Sequence, residues 1–599
     1  MSSFHRNGFC LFLILFFGIG ISRTNAQTEN VKPQIAKITE EKKDIVADTE
    51  TATNNTSFQY NRVGVQNDRT MPLSLNDAIT KALQNNNDIE VARTDVRIQE
   101  TQLSSLRGVY DPVFTVSPNY TRSSTTGSTS TNDFRVNAGL DYNLRRGGGT
   151  FSTFFNNTRS ENSFSQSQLS SGTTTGSTGS ALFSSNLGFQ YTQPLLRNFR
   201  IDNTRRQIRI QRKRLQQSDI EFRRQTIEII SRVQRSYWDL VFALRDQQNK
   251  ADNLNLAKEN LRQVEARISA GATAPLARAE VNTEVANRES DLLVAAQQVS
   301  IAENTLKILL LREATDDEWN VSYVPTDKPS YSDESVNLAD AMADAMDNRP
   351  ELRRLKLANE INKIDIDYFR NQTKPQLDLN STVSLGGLSR GGTNNGFTTN
   401  LFTSPQELIL LDNINLLRQR EGLPRIENTP ITVAPSSSFL FGGFNRSILN
   451  LFRTDSPNFT VGVTFSFPFG NKTAKANLAG AQIQKEQIAA QTRSQEQLIV
   501  SEVRNAVQAL ETSRQRVLSA RKARENAEIQ LEGERKLYEA GRSTTFLLFQ
   551  RENALTNARN SEIRAETDYN KAISDLQRAT STTFQMNNIQ IESPVDTDQ

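Results

Sequence analysis

Histidine and cysteine each occur once in this chain, as His5 and Cys10. Ser-His-Asp triads need an imidazole, thiol catalysis needs a thiolate, and zinc sites draw mostly on these two residue types. Both lie in or beside an apolar run from Phe9 to Ile21, preceded by Arg6 and followed by the small residues Thr24-Asn25-Ala26. That is the layout of a secretory signal peptide, expected over residues 1–26. The run of about 13 residues falls short of the ~20 needed to span a bilayer as a helix. Cys10 stands at the start of the run and not before the cleavage site, so no lipid-anchored cysteine is expected. The mature chain would then hold no thiol, no imidazole and no disulfide. Only carboxylate chemistry remains, and no Asp/Glu pair stands apart from the many charged helix faces. The expectation is a protein without catalytic residues, cofactor or metal, and not an enzyme.

The elements must therefore be read for what they build. Of 599 residues, 36% are hydrophobic and 23% charged, with a net charge of +3. This composition suits long helical assemblies or a barrel with a polar interior better than several thick cores. The charge does not suggest a nucleic-acid partner.

The chain repeats itself. At an offset of 263, Leu75 meets Leu338, Asp77 meets Asp340, Ala78 meets Ala341, Ala82 meets Ala345, Arg107 meets Arg370 and Pro112 meets Pro375. At an offset of 270, Val233 meets Val503, Leu240 meets Leu510, Leu261 meets Leu531 and Gly271 meets Gly541. Repeats of this length imply a duplicated domain, not a short-period solenoid. The expected division is a flexible segment over 27–70, a first repeat over 71–320, a linker over 321–337, a second repeat over 338–580 and a flexible tail over 581–599.

Each copy opens with a helix, in the first from Ser74 as N-cap to Arg107, stopped by Pro112. Strands follow. In FRVNAGLDYNL, Phe134, Val136, Ala138, Leu140, Tyr142 and Leu144 alternate with Arg135, Asn137, Gly139, Asp141 and Asn143, the period of two that marks a strand. Phe459 to Phe467, Leu377 to Leu385 and Leu187 to Tyr191 alternate similarly. The pattern fits an antiparallel sheet with one wet side or a membrane barrel with lipid outside and water inside. The short turn RRGGGT (145–150) and the long Ser/Thr/Gly-rich links near 122–131 and 160–183 favour the barrel. Phe134, Val136, Leu140 and Tyr142 are then the lipid-facing set. Inside the long loop 390–457, ELILLDNINLLRQR has the character of a helix.

The longest helices come last. From Asn203 to Ile268 there is no proline, and Val233, Leu240, Gln247, Leu254, Leu261 and Ile268 recur at sevens, as do Val503, Leu510, Val517, Arg524, Leu531 and Tyr538. Sustained heptads mean coiled-coil packing. Ala-Gly then ends each run, at Gly271 and Gly541, and a second helix returns. These are the tips of two helical hairpins.

Helix, strands and hairpin, twice, behind a signal peptide, resembles the TolC family of outer-membrane channels. The resemblance rests on LxxAIxxAL near Leu75 and its partner near Leu338, on TQPLL (192–196) and FSFPFG (465–470), and on the Ala-Gly tips. It implies an α+β membrane protein with two internal repeats. Three protomers form a homotrimer that shares one barrel in outer-membrane lipid, continued by a periplasmic α-helical barrel of coiled-coil hairpins. It implies a passive exit duct of a tripartite efflux or type I secretion system. An inner-membrane pump or ABC exporter would drive it, and a periplasmic adaptor would dock at the tips, here Gly271, Ala272, Thr273, Gly541, Arg542, Ser543 and Thr544. The competing reading is a barrel-anchored coiled-coil surface protein or a periplasmic structural protein. The first copy departs from the family in showing four strand-like stretches where members commonly have two per repeat, so a trimer would hold 12 strands, or 18 if the extra hairpin joins the wall. Members often carry Asp shortly after the tip glycine. This chain has Ala277 and Leu547 there, and Arg278, Glu280, Tyr538 and Arg542 are the candidate gate.

Overall fold

The computed structural model describes residues 69–124, 126, 130–161, 181–271, 274–391, 397–433, 438–453 and 457–591. The expected signal segment 1–26, nearly all of segment 27–70, the tip residues Ala272 and Thr273, and residues 592–599 lie outside the described residues. The first repeat runs β1 (Arg69–Leu73), α1 (Leu75–Asn85), α2 (Asn87–Arg107), β2 (Val113–Ser123), β3 (Thr131–Asn143), β4 (Thr150–Glu161), β5 (Leu182–Pro194), α3 (Asn203–Ser269) and α4 (Leu276–Leu310). After β6 (Val321–Pro325) the second runs α5 (Leu338–Asn348), α6 (Pro350–Gln372), β7 (Gln376–Arg390), β8 (Phe397–Asn400), α7 (Pro405–Arg420), β9 (Pro430–Val433), α8 (Phe444–Leu451), β10 (Pro457–Ser466), α9 (Lys472–Glu539), α10 (Thr545–Thr580) and α11 (Thr583–Met586).

Ser74 caps α1 as expected, its Oγ accepting from the Asp77 N–H at 3.1 Å. The single helix expected over 74–107 is instead two. Asn86 takes an extended backbone, φ −65° and ψ 124°, and its carboxamide oxygen accepts from the N–H groups of Asp88 and Ile89. Its NH2 donates to the Leu309 carbonyl at 3.0 Å. A buried side chain that caps a new helix and ties it to α4 outweighs the continuing helical pattern. The second repeat breaks at Arg349, φ −60° and ψ 122°, the position 263 residues on, where Pro350 pushes the preceding residue out of the helical region.

All six long strands form one antiparallel sheet, ordered β10-β7-β5-β4-β3-β2. The extra hairpin of the first repeat is thus part of the sheet, and β5 joins β7 across the two repeats. The register puts Phe134, Val136, Leu140 and Tyr142 on one face with Phe114, Val116 and Tyr120 of β2, Phe151 and Phe155 of β4, and, through β4, Leu187 and Tyr191 of β5. Through β5 and β7 this face continues to Val383 and Leu379 and then to Phe459, Val461, Val463 and Phe465. The opposite face carries Arg135, Asn137, Asp141, Asn156, Asn186, Gln190, Asp378, Asn380 and Thr464. Two faces of opposite character mean two different solvents.

Below the sheet, α3 and α9 run 67 and 68 residues, about 100 Å each at 1.5 Å per residue. The heptad residues Val233, Leu240, Gln247, Leu254, Val503, Leu510 and Val517 are buried. The helices stand side by side in the order α4, α3, α10, α9 in the lower half, with α2 and α6 packed on α3 and α9 nearer the sheet. The segment expected as a linker holds β6, which pairs in parallel with β1. The tail from 581, expected as flexible, begins as packed structure: Ile589 is buried with the α1–α3–α4 core, and Phe584 and Ile591 pack against it. Three apolar side chains in so short a stretch gain more from burial than a disordered tail would keep as freedom. Inside loop 390–457 the expected helix is α7, closed at its start by a Ser404–Glu407 capping box.

At the waist, where α1, α3, α4 and β6 meet, lies a charged pair with no exposure to speak of: Glu303 at 0% and Lys307 at 1%. Their charged atoms are 3.5 Å apart. Lys307 donates to the Trp319 carbonyl at 2.7 Å, and Glu303 accepts from the Tyr323 N–H at 2.7 Å. The pair thus clamps β6 onto α4. Removing one partner strands a buried charge, at about 3–5 kcal/mol. Glu303→Leu should lower the thermal unfolding midpoint followed by helical circular dichroism, and Glu303→Leu with Lys307→Met should recover much of the loss. A double variant as unstable as the single one would mean that the pair acts through its backbone hydrogen bonds and not its charges.

Candidate functional site

The hairpin tips are built alike. Helix α3 closes with the Ala270 N–H on the Ala266 carbonyl at 3.1 Å and the Gly271 N–H on the Ile268 carbonyl at 3.0 Å. Helix α9 closes with the Ala540 N–H on Lys536 at 3.1 Å, the Gly541 N–H on Tyr538 at 3.0 Å and the Arg542 N–H on Leu537 at 2.8 Å. Gly271 and Gly541 have φ of +71° and +74°, the left-handed cap conformation that glycine adopts without strain. A Cβ at either would meet nothing within 4 Å, so backbone strain alone opposes a side chain there. The return helix α10 is capped by Thr544, whose side chain accepts from the Leu547 N–H at 3.4 Å. Ser543 donates its hydroxyl proton to Glu534. Pro275 precedes α4 without a side-chain cap.

The four candidate gate residues do not form one cluster. Arg278 is held by its own hairpin, 3.2 Å from Glu265. Tyr538 lies under the Arg267 guanidinium, 4.6 Å from its centre, a cation–π contact that joins the two tips. Glu280 and Arg542 are exposed.

Above the tips runs a feature that the heptad reading missed: a polar seam between α3 and α10. Asn249 donates to Asn560 at 2.7 Å, Thr556 to Asn253 at 2.8 Å, and Asn260 to Glu552 at 3.2 Å. Its signal was present in Asn249, Asn253 and Asn260, which stand beside the heptad positions Gln247, Leu254 and Leu261. Burial raises the Glu552 carboxyl above its ordinary range, opposed by the Asn260 amide and by Arg535 and Arg288. Burial likewise raises Asp246, opposed by Lys250. Ion pairs lace each hairpin internally, Lys250–Asp291 at 2.9 Å in the first and Arg524–Glu562 at 2.6 Å and Arg521–Glu566 at 2.8 Å in the second, and above the seam Arg235–Asp575 and Lys571–Asp239 join α3 to α10.

Among the described residues no helix is long and apolar enough to cross a membrane, and no group of three or more His, Cys, Asp or Glu could hold a metal ion. A two-faced sheet and two 100 Å hairpins are what the site offers. A family model described as "Outer membrane efflux protein" matches residues 78–310 and 434–582, most of both repeats. The chain belongs to the outer membrane efflux protein family. Solved structures agree in fold. The Campylobacter jejuni CmeC outer membrane channel is 14% identical with a TM-score of 0.55, over 92% of this chain and 98% of that one. The open-state Neisseria gonorrhoeae MtrE outer membrane channel is 16% identical with a TM-score of 0.54, over 91% and 98%. CusC is 15% identical with a TM-score of 0.55, over 87% and 98%. A sequence comparison with curated proteins found no match. This efflux protein is an outer-membrane protein of a family of efflux channels, not enzymes, and its fold, long helices included, is that of solved outer membrane channels.

The seam carries a pH linkage. Below 4.5, the ordinary value for Glu552, folded and unfolded chains both hold the proton and the group contributes nothing. As pH rises through the interval up to its raised folded value, only the folded chain keeps the proton, so stability falls and the full penalty stands above that interval. Glu552→Gln should therefore raise the melting midpoint at neutral pH, with the gain shrinking as pH drops toward 4.5. A gain independent of pH would trace the effect to packing instead.

Proposed function

We propose that three copies of this efflux protein close into one duct, passive itself, through which an inner-membrane pump drives solutes outward. The observation that carries this is the pair of sheet edges. Strands β2 and β10 are exposed along their whole length, and each has one neighbour only. Six strands alternate in direction, so β10 of one copy meets β2 of the next antiparallel, and every copy can repeat the contact. Six strands are too few to enclose a channel alone, since small closed barrels need about eight. Three copies give an even-numbered barrel of 18 with no edge left. The outer helices support the same closure. On α4, Leu293, Val294, Ile301 and Ile308 are exposed, and on α9 at the other side so are Ile483, Leu498 and Ile529.

In this arrangement Phe134, Val136, Leu140 and Tyr142 meet lipid and the Arg135, Asn137 and Asp141 face lines the water-filled barrel. The tips, around Gly271 and Gly541 with Arg542, Ser543 and Thr544, stand at the far periplasmic end. Their exposed surface, with Gly271, Gly541 and Arg542 open to solvent, suits a periplasmic adaptor protein as partner.

A charge on the lipid face costs about 2–4 kcal/mol near mid-membrane and about 0–1 kcal/mol near the rims; Val136, opposite Pro118, lies in the middle of its strand, whereas Leu140 lies near the periplasmic rim. Val136→Arg should reduce the amount of trimer recovered from the outer membrane, whereas Asn137→Arg, on the water face, should leave it near the wild-type level. Equal losses would remove the assignment of faces.

The tips test the function itself. Valine at a left-handed position meets about 1–2 kcal/mol of strain, small beside the burial along two long coiled coils. Gly271→Val with Gly541→Val should thus give normal trimer in the outer membrane but poor export, while Asn at both sites, which tolerates the same backbone, should export normally. Undiminished export by the valine variant at wild-type trimer levels would refute adaptor docking and gating at these tips.

A further inference from the structure

The apolar face of the sheet has a polar interruption. Asn157 of β4, Ser185 of β5 and Gly387 and Ser389 of β7 share the face of Phe155, Leu187 and Leu385, yet none is apolar and bulky. Helix α8 covers them. The Ser447 hydroxyl lies 2.8 Å from that of Ser185, to which Asn157 also donates. Ser389 donates to the Gly443 carbonyl at 3.0 Å, and Asn450 to the Leu388 carbonyl at 2.7 Å. A Cβ on Gly387 would fall 2.1 Å from the Ser447 carbonyl oxygen, so only glycine lets the helix lie this close.

The helix is turned with its polar side inward. Ser447, Asn450 and Leu451 are buried against the sheet, while Leu449 is 59% exposed and Phe452 68%. Ile448 stands partly exposed between them. Residues 438–453 contain Arg446 and Arg453 and no carboxylate. In water this is the wrong way round, because apolar side chains would be inward and Ser and Asn outward.

We propose that α8 is an interfacial helix held on the outside of the barrel wall, with Ile448, Leu449 and Phe452 among the acyl chains of the outer leaflet. The inference rests on the reading that the Phe134–Val136–Leu140 face meets lipid. Three observations commit the helix to that occupant. It lies on the apolar face and not on the polar one. It sits over β5 and β7, inside the edge strand β10, so the edge contacts by which copies pair leave it on the outer surface of the wall. Gly387 is three residues from the end of β7, about 10 Å at the rise of a strand, and that end is the one farthest from the periplasmic helices. The helix therefore lies at the depth where headgroups give way to acyl chains, with arginine beside an apolar side as interfacial helices commonly have. The polar residues on β4, β5 and β7 are its seat, and the helix shields them from hydrocarbon.

The test uses the full chain with Cys10→Ser, which leaves no other cysteine, reconstituted in vesicles of phosphatidylethanolamine and phosphatidylglycerol. Nitroxide labels go on Leu449→Cys, Phe452→Cys, Val136→Cys and Asn137→Cys, and relaxation by oxygen is compared with relaxation by a water-soluble nickel chelate. Labels at 449 and 452 should be relaxed more by oxygen than by nickel, though less one-sidedly than the deeper label at 136, and 137 should show the reverse. If 136 reads lipid while 449 and 452 read water, the helix does not enter the bilayer and the proposal falls. If 449 and 452 are shielded from both reagents, another protein covers the helix and the proposal also falls. A water-like reading at 136 would instead remove the assignment of faces on which it rests. Adding Gly387→Val to the Leu449→Cys chain should unseat the helix, so that the label at 449 gains nickel access while the label at 136, in the matching Gly387→Val chain, does not change. A label at 449 that stays in lipid would mean that this seat does not hold the helix.

Discussion

A sheet edge in hydrocarbon cannot be left open. Each unpaired N–H or C=O has no water to turn to and costs several kcal/mol, and β2 and β10 present two such edges over 11 and 10 residues. That constraint governs the rest of the molecule. Closure with other copies meets it, and because the six strands already alternate in direction, β10 of one copy can pair antiparallel with β2 of the next. The constraint also fixes where each helix leaves the sheet, because every strand that leads into a long helix must end on the same rim.

The helical portion answers to a different balance. Buried heptad side chains such as Val233, Leu240 and Val503 contribute about 1.5–3 kcal/mol each, whereas exposed ion pairs like Lys258–Glu289 contribute about 0–1. The apolar stripe therefore holds each hairpin together, and the ion pairs tune which helix lies beside which. The seam between the hairpins differs, with Asn249, Asn253 and Asn260 facing Asn560, Thr556 and Glu552. The bonds between neutral groups, Asn249 to Asn560 and Thr556 to Asn253, contribute little net energy because both sides also bond well to water, and the Asn260–Glu552 bond is offset by the burial of the Glu552 carboxyl. The two hairpins are thus joined by a polar seam near the tips and by the ion pairs Arg235–Asp575 and Lys571–Asp239 higher up.

Near the middle, the chain turns from one regime to the other. Asn86 and Arg349 interrupt their helices at equivalent places, and each side chain reaches a carbonyl of a distant helix, Leu309 or Ala579. The buried Glu303–Lys307 pair lies in the same belt. The duplication thus persists in backbone geometry even where the residue types differ, since asparagine reaches by capping what the second copy reaches through Pro350.

What the sequence by itself determined is the local part. Period-two alternation marked β3, β5, β7 and β10 and which of their side chains share a face. Heptads marked the lower halves of α3 and α9, from Val233 to Ile268 and from Val503 to Tyr538, Ser74 marked a helix start, and Ala-Gly marked both tips. These signals are written in neighbouring residues, because side-chain direction repeats every two residues in a strand and every seven in a coiled coil. The tertiary structure alone decided the strand order, the pairing of β5 with β7, the break at Asn86, the contact of Arg267 with Tyr538 and the seat of α8. Each of these depends on groups far apart in the chain. Strand order is set by backbone hydrogen bonds, whose N–H and C=O groups are the same under any side chain. Asn157, Ser185 and Gly387 read as unremarkable polar and small residues until the fold brings three strands together and lays a helix across them.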